Sequence, residues 1–457
     1  MNGPLWRAEH LAIASGGRME HGFGATGVSI DTRTLRAGDL FVALAGERRD
    51  GHLFVAEALA RGAAGAMVSL IPDGLAPDAP LLRVDDTAEG LRRLGEFARG
   101  RFRGRLAAIT GSVGKTTTKE MLARALAPSG SVHAAVASFN NHLGVPLTLA
   151  NLPEDAGFAV IEIGMNHPGE IAPLSRLARP HVALITAIAK AHVGQMGGIE
   201  AIAEEKASIL EGLEPGGVAV LPRDTPFLAT LAARARGRQV VTFGRGGLAE
   251  ARLIEAESDA EGCDLIARIA GAVVRLRLAA PGEHMAMDAV AALAVAAALG
   301  ADVEKAAAAL AGFAPLAGRG RQRRIACAGG EALLLDESYN ASAASVRAAL
   351  GVLALQPGRR IAVLGDMLEL GDEAEEEHAG LAEAVAEAAD FVFVCGPLMA
   401  RLFALLPEEK CGAAAADAAA LAPVVAEFVR AGDSVLVKGS LGSGMRQVVD
   451  ALVGGRG

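Results

Sequence analysis

The chain of 457 residues is long enough for about three domains. Apolar residues make up 51% of it and charged residues 21%, which is ample material for packed cores, and a net charge of −9 argues against nonspecific binding to nucleic acid. The four cysteines lie far apart with no C-x-x-C spacing, so the sequence indicates neither a zinc site nor a disulfide framework.

The first hundred residues alternate between strand-like and helical patterns. Apolar runs at 40–44 and 66–70 predict strands, and residues 54–63 between them predict a helix. The N-terminus lacks a charged segment followed by a long apolar core, so we expect no signal peptide and a cytoplasmic location. The basic, polar segment 96–105 predicts the first domain boundary, giving a first domain of residues 1–102.

Residues 106–120, LAAITGSVGKTTTKE, carry the strongest functional signal in the sequence. An apolar strand leads into a loop with two glycines, and Lys115 and Thr116 then open a helix. Backbone N–H groups of such a loop and the positive end of the helix dipole bind phosphate oxygens, while the threonine hydroxyl can ligate Mg²⁺. The commonest phosphate loop has a glycine where this chain has Ile109, so the loop is the shorter Thr-Gly-x-x-Gly-Lys-Thr form. A glycine turn that merely joins a strand to a helix is the alternative interpretation.

Apolar strands alternate with helical patterns from residue 106 onward. Strand candidates lie at 158–163, 182–187, 218–221 and 239–243, which predicts a mostly parallel sheet with helices on both faces. Residues 250–279 alternate apolar and polar positions and predict antiparallel strands. Alanine-rich helices follow at about 286–299 and 302–312, and both are too short to span a bilayer. The Gly- and Arg-rich segment 314–324 predicts the second boundary, so the central domain covers residues 103–315.

The strand–helix pattern then restarts in residues 316–457. Strand candidates at 332–335, 360–364, 391–395 and 434–438 predict a small doubly wound sheet. The whole chain is therefore expected to be an α/β protein with three domains.

Several polar residues stand where strands end. Glu162 ends the strand after the phosphate loop and is a suitable Mg²⁺ ligand, although a surface glutamate is an equal alternative when it is taken alone. Asp336 ends a later strand close to Tyr339, the only tyrosine of the chain. Arg319 opens an arginine-rich stretch that is either a solvated linker or a source of positive charge for a phosphate. His192 and Lys206 carry no signal by themselves.

Together these motifs resemble the Mur ligase family, ATP-dependent enzymes that form amide bonds on peptidoglycan precursors. The resemblance covers essentially the whole chain. It is carried by VSIDTRTLRAGDLFVAL and DGHLF near the start, TGSVGKTT, FNNHLGVPLTLA, GDMLELGDEAEEEH and VLVKGSLGSGM. FNNHLGVPLTLA and GDMLELGDEAEEEH resemble segments of the branch that adds D-alanyl-D-alanine, and the Asp-Asn-Pro-Arg stretch of the diaminopimelate-adding branch is absent from the sequence.

The resemblance implies a uridine-nucleotide-binding domain, a central ATPase domain and a Rossmann-like C-terminal domain. It assigns ATP binding to Thr110, Gly111, Ser112, Val113, Gly114, Lys115, Thr116, Thr117, Arg319 and Asp336. It assigns metal binding to Thr116, Glu162, His192 and a carbamylated Lys206, and catalysis to Lys115, His192, Lys206 and Arg319. It assigns substrate contacts to Thr32, Arg33, Asn140 and Asn141.

The implied cofactors are ATP and Mg²⁺, and the implied substrates are UDP-N-acetylmuramoyl-tripeptide and D-alanyl-D-alanine. We expect a monomer with no membrane span and no nucleic-acid partner. The chain departs from the family pattern at Met285, Asp288 and Pro222, near the expected adenine contacts. The alternatives are a Mur-type ligase that adds a single amino acid, a folylpolyglutamate synthetase-like ligase, and a non-catalytic nucleotide-binding regulator.

Overall fold

The computed structural model describes residues 4–46, 49–136, 138–190 and 193–454. Its strands form three sheets, which follow one another along the chain and have five, nine and six strands. Most strand pairs are parallel, and helices lie between successive strands. The structure is therefore an α/β protein with three domains, as the sequence predicts.

The first domain contains the five-stranded sheet, in the order β1-β5-β4-β3-β2 with only the β1–β5 pair antiparallel. A buried apolar cluster that includes Trp6, Leu40 and Met67 packs between this sheet and its helices. The elements are α1 (Ala8–Ser15), β1 (Arg18–Met19), β2 (Gly27–Ser29), β3 (Asp39–Val42), α2 (Val55–Ala60), β4 (Gly65–Val68), β5 (Leu81–Arg83) and α3 (Thr87–Arg101).

The central domain contains the nine-stranded sheet, in the order β14-β13-β12-β11-β10-β9-β6-β8-β7. The β12–β13 and β13–β14 pairs are antiparallel, which confirms the excursion predicted at 250–279. The elements are β6 (Arg105–Thr110), α4 (Lys115–Leu126), β7 (Val132–Ala134), α5 (Gly144–Ala150), β8 (Phe158–Glu162), α6 (Ile171–Ala178), β9 (Val182–Ile185), α7 (Val193–Met196), α8 (Ile199–Ala207), β10 (Val218–Pro222), α9 (Leu228–Arg234), β11 (Gln239–Gly244), β12 (Ala251–Ser258), β13 (Cys263–Ile269), β14 (Ala272–Leu278), α10 (Glu283–Ala298) and α11 (Val303–Leu310).

The third domain contains the six-stranded sheet, in the order β15-β16-β20-β17-β18-β19 with only the β15–β16 pair antiparallel. The elements are β15 (Arg321–Cys327), β16 (Gly330–Glu337), α12 (Ala343–Ala354), β17 (Arg360–Gly365), α13 (Ala374–Ala379), α14 (Ala382–Ala388), β18 (Phe391–Cys395), α15 (Pro397–Phe403), β19 (Cys411–Ala415), α16 (Ala418–Phe428), β20 (Ser434–Lys438) and α17 (Arg446–Val453).

Six short 3₁₀ helices complete the described elements. They are Gly51–Phe54, Ala127–Ser129, Ser208–Gly212, Gly371–Glu373, Glu408–Lys410 and Leu441–Ser443. Each predicted strand corresponds to an observed one, with ends shifted by up to two residues. The predicted boundary segments overlap regular elements, because residues 96–101 are the last turns of α3 and Arg321 already begins β15.

Polar and aromatic contacts join the first domain to the central domain. The Asn151 side chain accepts from Val28 N at 2.8 Å and donates to Val28 O at 2.9 Å. The indole of Trp6, fully buried, donates to Ala150 O at 2.9 Å. Both central-domain residues lie at the end of α5, so this helix holds the first domain against the central sheet.

Candidate active site

The phosphate loop lies at the carboxyl end of β6, where open parallel sheets bind ligands. β6 ends at Thr110, and α4 begins at Lys115 with its first backbone N–H groups directed toward the loop. Gly114 has a φ of 83°, a left-handed conformation that a glycine adopts without strain. The structure thus places the predicted loop residues, Thr110 to Thr117, in one strand–loop–helix junction.

Lys115 folds back over this loop. Its ammonium group donates to Gly111 O at 2.8 Å. Burial lowers its pKa, the Glu162 carboxylate partly offsets that effect, and the Arg319 charge lowers the pKa further. A cation held against the loop in this way is positioned to neutralise phosphate charge.

A hydrogen-bonded network joins the loop to the next strand. Thr116 Oγ1 donates to Glu162 Oε2 at 2.8 Å, and Asn140 Nδ2 donates to Glu162 Oε1 at 2.8 Å. The two strands are in register, with Ile109 of β6 opposite Glu162 of β8, which brings the two oxygen ligands to one edge of the sheet. A hydroxyl and a carboxylate at this point suit Mg²⁺, which is commonly held by one or two protein oxygens together with substrate phosphates.

Arg319 reaches this network from the segment that precedes the third sheet. Its guanidinium donates to Ser138 Oγ at 2.6 Å, and Ser138 Oγ lies 3.2 Å from Thr116 Oγ1. The same guanidinium lies over the Tyr339 ring, 4.0 Å from its centroid. The structure therefore brings together Lys115, Thr116, Glu162, Asn140 and Arg319, and it adds Ser138, for which the sequence carried no motif.

Lys206 is buried in α8, with only 2% of the residue exposed. Burial and the positive charge of Lys115 hold its pKa well below the ordinary value, with a smaller opposing effect from Glu205. The Glu205 carboxylate itself accepts from the backbone N–H groups of Gly169 and Ile171 at 2.8 and 2.9 Å. A lowered pKa increases the share of a lysine side chain that is present as the neutral, nucleophilic amine.

Asp336, a predicted ATP residue, stands apart from the network. The buried carboxylate of Asp336 accepts from Ser338 N at 3.3 Å and from Ser338 Oγ at 2.6 Å, beside the turn that carries Arg319. His192 lies outside the described residues. In the part of the chain that the structure describes, no three His, Cys, Asp or Glu side chains converge as a metal cluster.

The predicted substrate residues occupy three different environments. The Arg33 guanidinium, 83% exposed, pairs with Asp31 at 2.6 Å, and the carbonyl of the buried Thr32 accepts from Arg61. These contacts all lie within the first domain. Asn141 Oδ1 accepts from Leu143 N and Gly144 N and so caps α5, whereas its neighbour Asn140 bonds to Glu162. The expected amide pair is therefore divided between a helix cap and the metal-ligand network.

A small cavity lies between the central and third domains. It is lined by apolar residues together with His284, Met285, Gly320 and Glu337. Burial lowers the His284 pKa; Glu337 opposes this shift, and Lys438 adds to it. A second cleft, lined by Thr116, Thr117 and Arg319 among others, shares Pro315 with this cavity. A polar phosphate loop thus adjoins an apolar cavity, which is the arrangement that a nucleotide requires.

The three residues that depart from the family pattern lie in different parts of the structure. Met285 lines the cavity, and Pro222 ends β10. Asp288 lies against the phosphate loop, since a Cβ atom added to Gly114 would be 2.5 Å from Asp288 Oδ1. Burial raises the pKa of Asp288 to about 8, with Thr118 opposing this shift. No motif in the sequence placed Asp288 at the phosphates, because the contact joins residues 174 positions apart.

Three family models match the chain. The model of the Mur ligase family catalytic domain matches residues 25–98, that of the Mur ligase middle domain matches 109–296, and that of the Mur ligase glutamate ligase domain matches 320–441. In the described residues no helix has the length and apolar character needed to cross a membrane.

Curated relatives agree with these matches. The UDP-N-acetylmuramoyl-tripeptide–D-alanyl-D-alanine ligase of Escherichia coli K12 is 35% identical over 429 residues, which cover 93% of each chain. The enzyme of the same name from Synechocystis is 40% identical over 347 residues, covering 76% of this chain and 73% of the relative.

Solved structures are also similar over nearly the whole length. A crystal structure of MurF from Acinetobacter baumannii is 33% identical with a TM-score of 0.86, covering 98% of this chain and 99% of that one. MurF from Thermotoga maritima in complex with ADP is 28% identical with a TM-score of 0.78, covering 94% of this chain and 97% of that one. The folylpolyglutamate synthase of Mycobacterium tuberculosis shares only the fold. It is 20% identical with a TM-score of 0.61, covering 79% of this chain and 94% of that one.

Proposed function

The chain belongs to the Mur ligase family, and from that membership we propose that it joins D-alanyl-D-alanine to UDP-N-acetylmuramoyl-tripeptide with consumption of ATP, in the synthesis of peptidoglycan precursors. The observation that carries the chemistry is the contact of Thr116 with Glu162 beside Lys115 and Arg319. These are the groups that a phosphoryl transfer from ATP requires. The domains are proposed to be residues 1–102, 103–315 and 316–457.

ATP is proposed to lie along the two adjoining cavities. Its phosphates bind the loop from Thr110 to Thr117, and its base enters the apolar cavity that His284 and Met285 line. Asp336, beside the turn that carries Arg319, is proposed to contact the nucleotide from the third domain. Thr116 and Glu162 would hold Mg²⁺, together with His192, and the ion would neutralise charge on the phosphates.

The first step makes the peptide carboxylate reactive. A carboxylate resists attack by an amine because its leaving group would be oxide. A carboxylate oxygen of the tripeptide therefore attacks the γ-phosphorus, the bond from that phosphorus to the β–γ bridging oxygen breaks, and an acyl phosphate and ADP result. Lys115 and Arg319 stabilise the charge on the transferred group by position and electrostatics. Asn140 is proposed to act on the substrate side of this site.

The second step forms the amide. The neutral amine of D-alanyl-D-alanine attacks the acyl carbon, the tetrahedral intermediate collapses with loss of phosphate, and the amine loses its proton. Arg319 remains beside the departing phosphate, and no covalent intermediate with the protein is required. Asn141 is proposed to position substrate by fixing the start of α5.

Lys206 is proposed to carry a carbamate. The neutral amine form of this buried lysine, which its lowered pKa favours, can add to CO₂ with release of one proton, and the product is an anion with two oxygen atoms. The carbamate would supply oxygen ligands to a second Mg²⁺. The burial of Lys206 near the charge of Lys115 supports this proposal, because a protonated lysine cannot react in this way.

The first domain would hold the uridine nucleotide of the other substrate at Thr32 and Arg33. We place the reaction in the cytoplasm, where ATP and nucleotide-linked precursors are available. A monomer suffices, since Lys115, Glu162 and Arg319 converge within one chain.

The experiment is phosphate release from ATP in the presence of UDP-N-acetylmuramoyl-tripeptide. D-Alanyl-D-alanine should stimulate release, whereas single amino acids and folate with glutamate should not. Stimulation by a single amino acid would favour another Mur-type ligase, and stimulation by folate with glutamate would favour the synthetase. Hydrolysis that ignores every acceptor would favour a regulatory nucleotide-binding protein.

A further inference from the structure

The phosphate loop is tied to the segment that follows β9. Ser112 N donates to Ala187 O at 2.8 Å. Ser112 Oγ donates to Ala189 O at 2.8 Å and accepts from Ala189 N at 2.9 Å. Three hydrogen bonds through one loop residue mean that residues 187–189 cannot shift without moving the phosphate loop.

The next residue, Lys190, bridges to the third domain. Its ammonium group lies 2.7 Å from Glu373 Oε2 and 2.9 Å from Glu377 Oε1. Glu373 ends the 3₁₀ helix Gly371–Glu373, and Glu377 lies in α13. The lysine side chain is 41% exposed, so the ion pairs are partly screened by water and weak compared with buried ones.

A second contact joins α7 to the same part of the third domain. Gly194 N donates to Glu369 O at 3.2 Å. A Cβ atom added to Gly194 would lie 2.8 Å from Gly371 N and 2.9 Å from its Cα. Gly371 also has a φ of 60°, which glycine adopts without strain. Two backbones therefore touch where neither residue has a side chain, so the third domain approaches this segment at a fixed distance.

These contacts form a continuous path, from Ser112 through residues 187–189 to Lys190 and then to the acidic segment 369–377. We propose that Lys190 is a positioning residue that couples the docking of the third domain to the shape of the phosphate loop. Nucleotide bound at the loop then favours the docked arrangement, and docking favours nucleotide by the same factor. This inference rests on the proposed function, because it assumes that the loop binds ATP.

Carbodiimide cross-linking of the whole protein tests the contact directly. This reagent forms an amide bond only between an amine and a carboxylate that are already in contact. Mass spectrometry should find Lys190 joined to Glu373 or Glu377, and a non-hydrolysable ATP analogue with Mg²⁺ should at least double the yield. Lys305 and Asp302, 4.0 Å apart on the surface of the central domain, give a control pair whose yield should not change with nucleotide. If nucleotide leaves the yield of the Lys190 cross-link unchanged in a protein that has ligase activity, the inference is wrong and the proposed function stands. If nucleotide raises this yield in a protein that has no ligase activity, the inference stands and the proposed function is wrong.

Charge reversal tests the consequence for turnover. Lys190→Glu should lower kcat/KM for dipeptide-dependent phosphate release by about three- to tenfold, the size expected of two half-exposed ion pairs. Adding Glu373→Lys and Glu377→Lys should restore it to within about twofold, whereas the same reversal at the exposed Lys305 should have no effect. A loss that the reversed glutamates fail to restore, or no loss at all, overturns the inference.

Discussion

Gly114 lies directly against Asp288, with Asp288 Oδ1 2.5 Å from the position that a Cβ atom on Gly114 would occupy. The contact places a carboxyl group behind the loop that is proposed to hold the ATP phosphates. A carboxylate there would repel phosphate, but burial raises the pKa of Asp288 to about 8, so the group is mostly protonated at neutral pH.

This raised pKa makes the stability of the protein depend on pH. The unfolded Asp288 titrates near 3.8 and the folded one near 8, so its contribution is most favourable below pH 4 and is lost as the pH rises through 8. Asp288→Asn should therefore be more stable than the parent, by an amount on the order of a few kcal/mol at pH 8. The difference in melting temperature should grow from pH 5 to 8 and then level off. Asp78→Asn, at an exposed position, should show no such trend, and a constant difference for Asp288→Asn would contradict the prediction.

Glu162→Gln should abolish most activity without unfolding the protein. The amide keeps the shape and can still bond to Thr116 and Asn140, but it removes the negative charge that the metal site needs. We expect a loss on the order of 100-fold in kcat, partly offset by raised Mg²⁺. The test measures phosphate release as a function of Mg²⁺ concentration, and melting curves show whether the variant is folded. An unaltered magnesium dependence would remove Glu162 from the site.

Lys206→Ala should also lose most activity, on the order of 100-fold, and formate or acetate should restore part of it by supplying the missing carboxylate oxygens. Removal of CO₂ and bicarbonate should slow the parent protein and leave the variant unchanged. Lys305→Ala, an exposed lysine in the same domain, serves as the control. Full activity in Lys206→Ala would exclude the carbamate.

Asn151→Ala should loosen the first domain from the central one. The variant leaves the backbone groups of Val28 without their two side-chain partners, at a cost of about 1–3 kcal/mol. Because Trp6 is the only tryptophan and bonds to the adjacent Ala150, its fluorescence reports on this interface. The emission should shift to the red in the variant at lower denaturant than in the parent. Coincident unfolding curves would show that Asn151 does not hold the interface.

The sequence predicted the α/β class, three domains and most of the described strands, because apolar runs and their turns are local patterns. It missed β1, β2, β5, β7, β15 and β19. It also predicted the phosphate loop, where strand, glycines, lysine and threonine are consecutive. The basic segments at 96–105 and 314–324, which the sequence predicts as domain boundaries, overlap the end of α3 and the start of β15. Basic composition by itself therefore does not show where a regular element begins or ends.

Chain order by itself determined which residues could bind phosphate, since the groups that hold it are neighbours. Only the tertiary structure decided which distant side chains join them: Ser138 and Arg319 at Thr116, Asp288 behind Gly114, and Lys190 on Glu373. It also separated Asn140, which bonds to Glu162, from Asn141, which caps a helix. The physical reason is that strand register and helix packing fix these contacts, and both depend on the burial of apolar faces far apart in the chain.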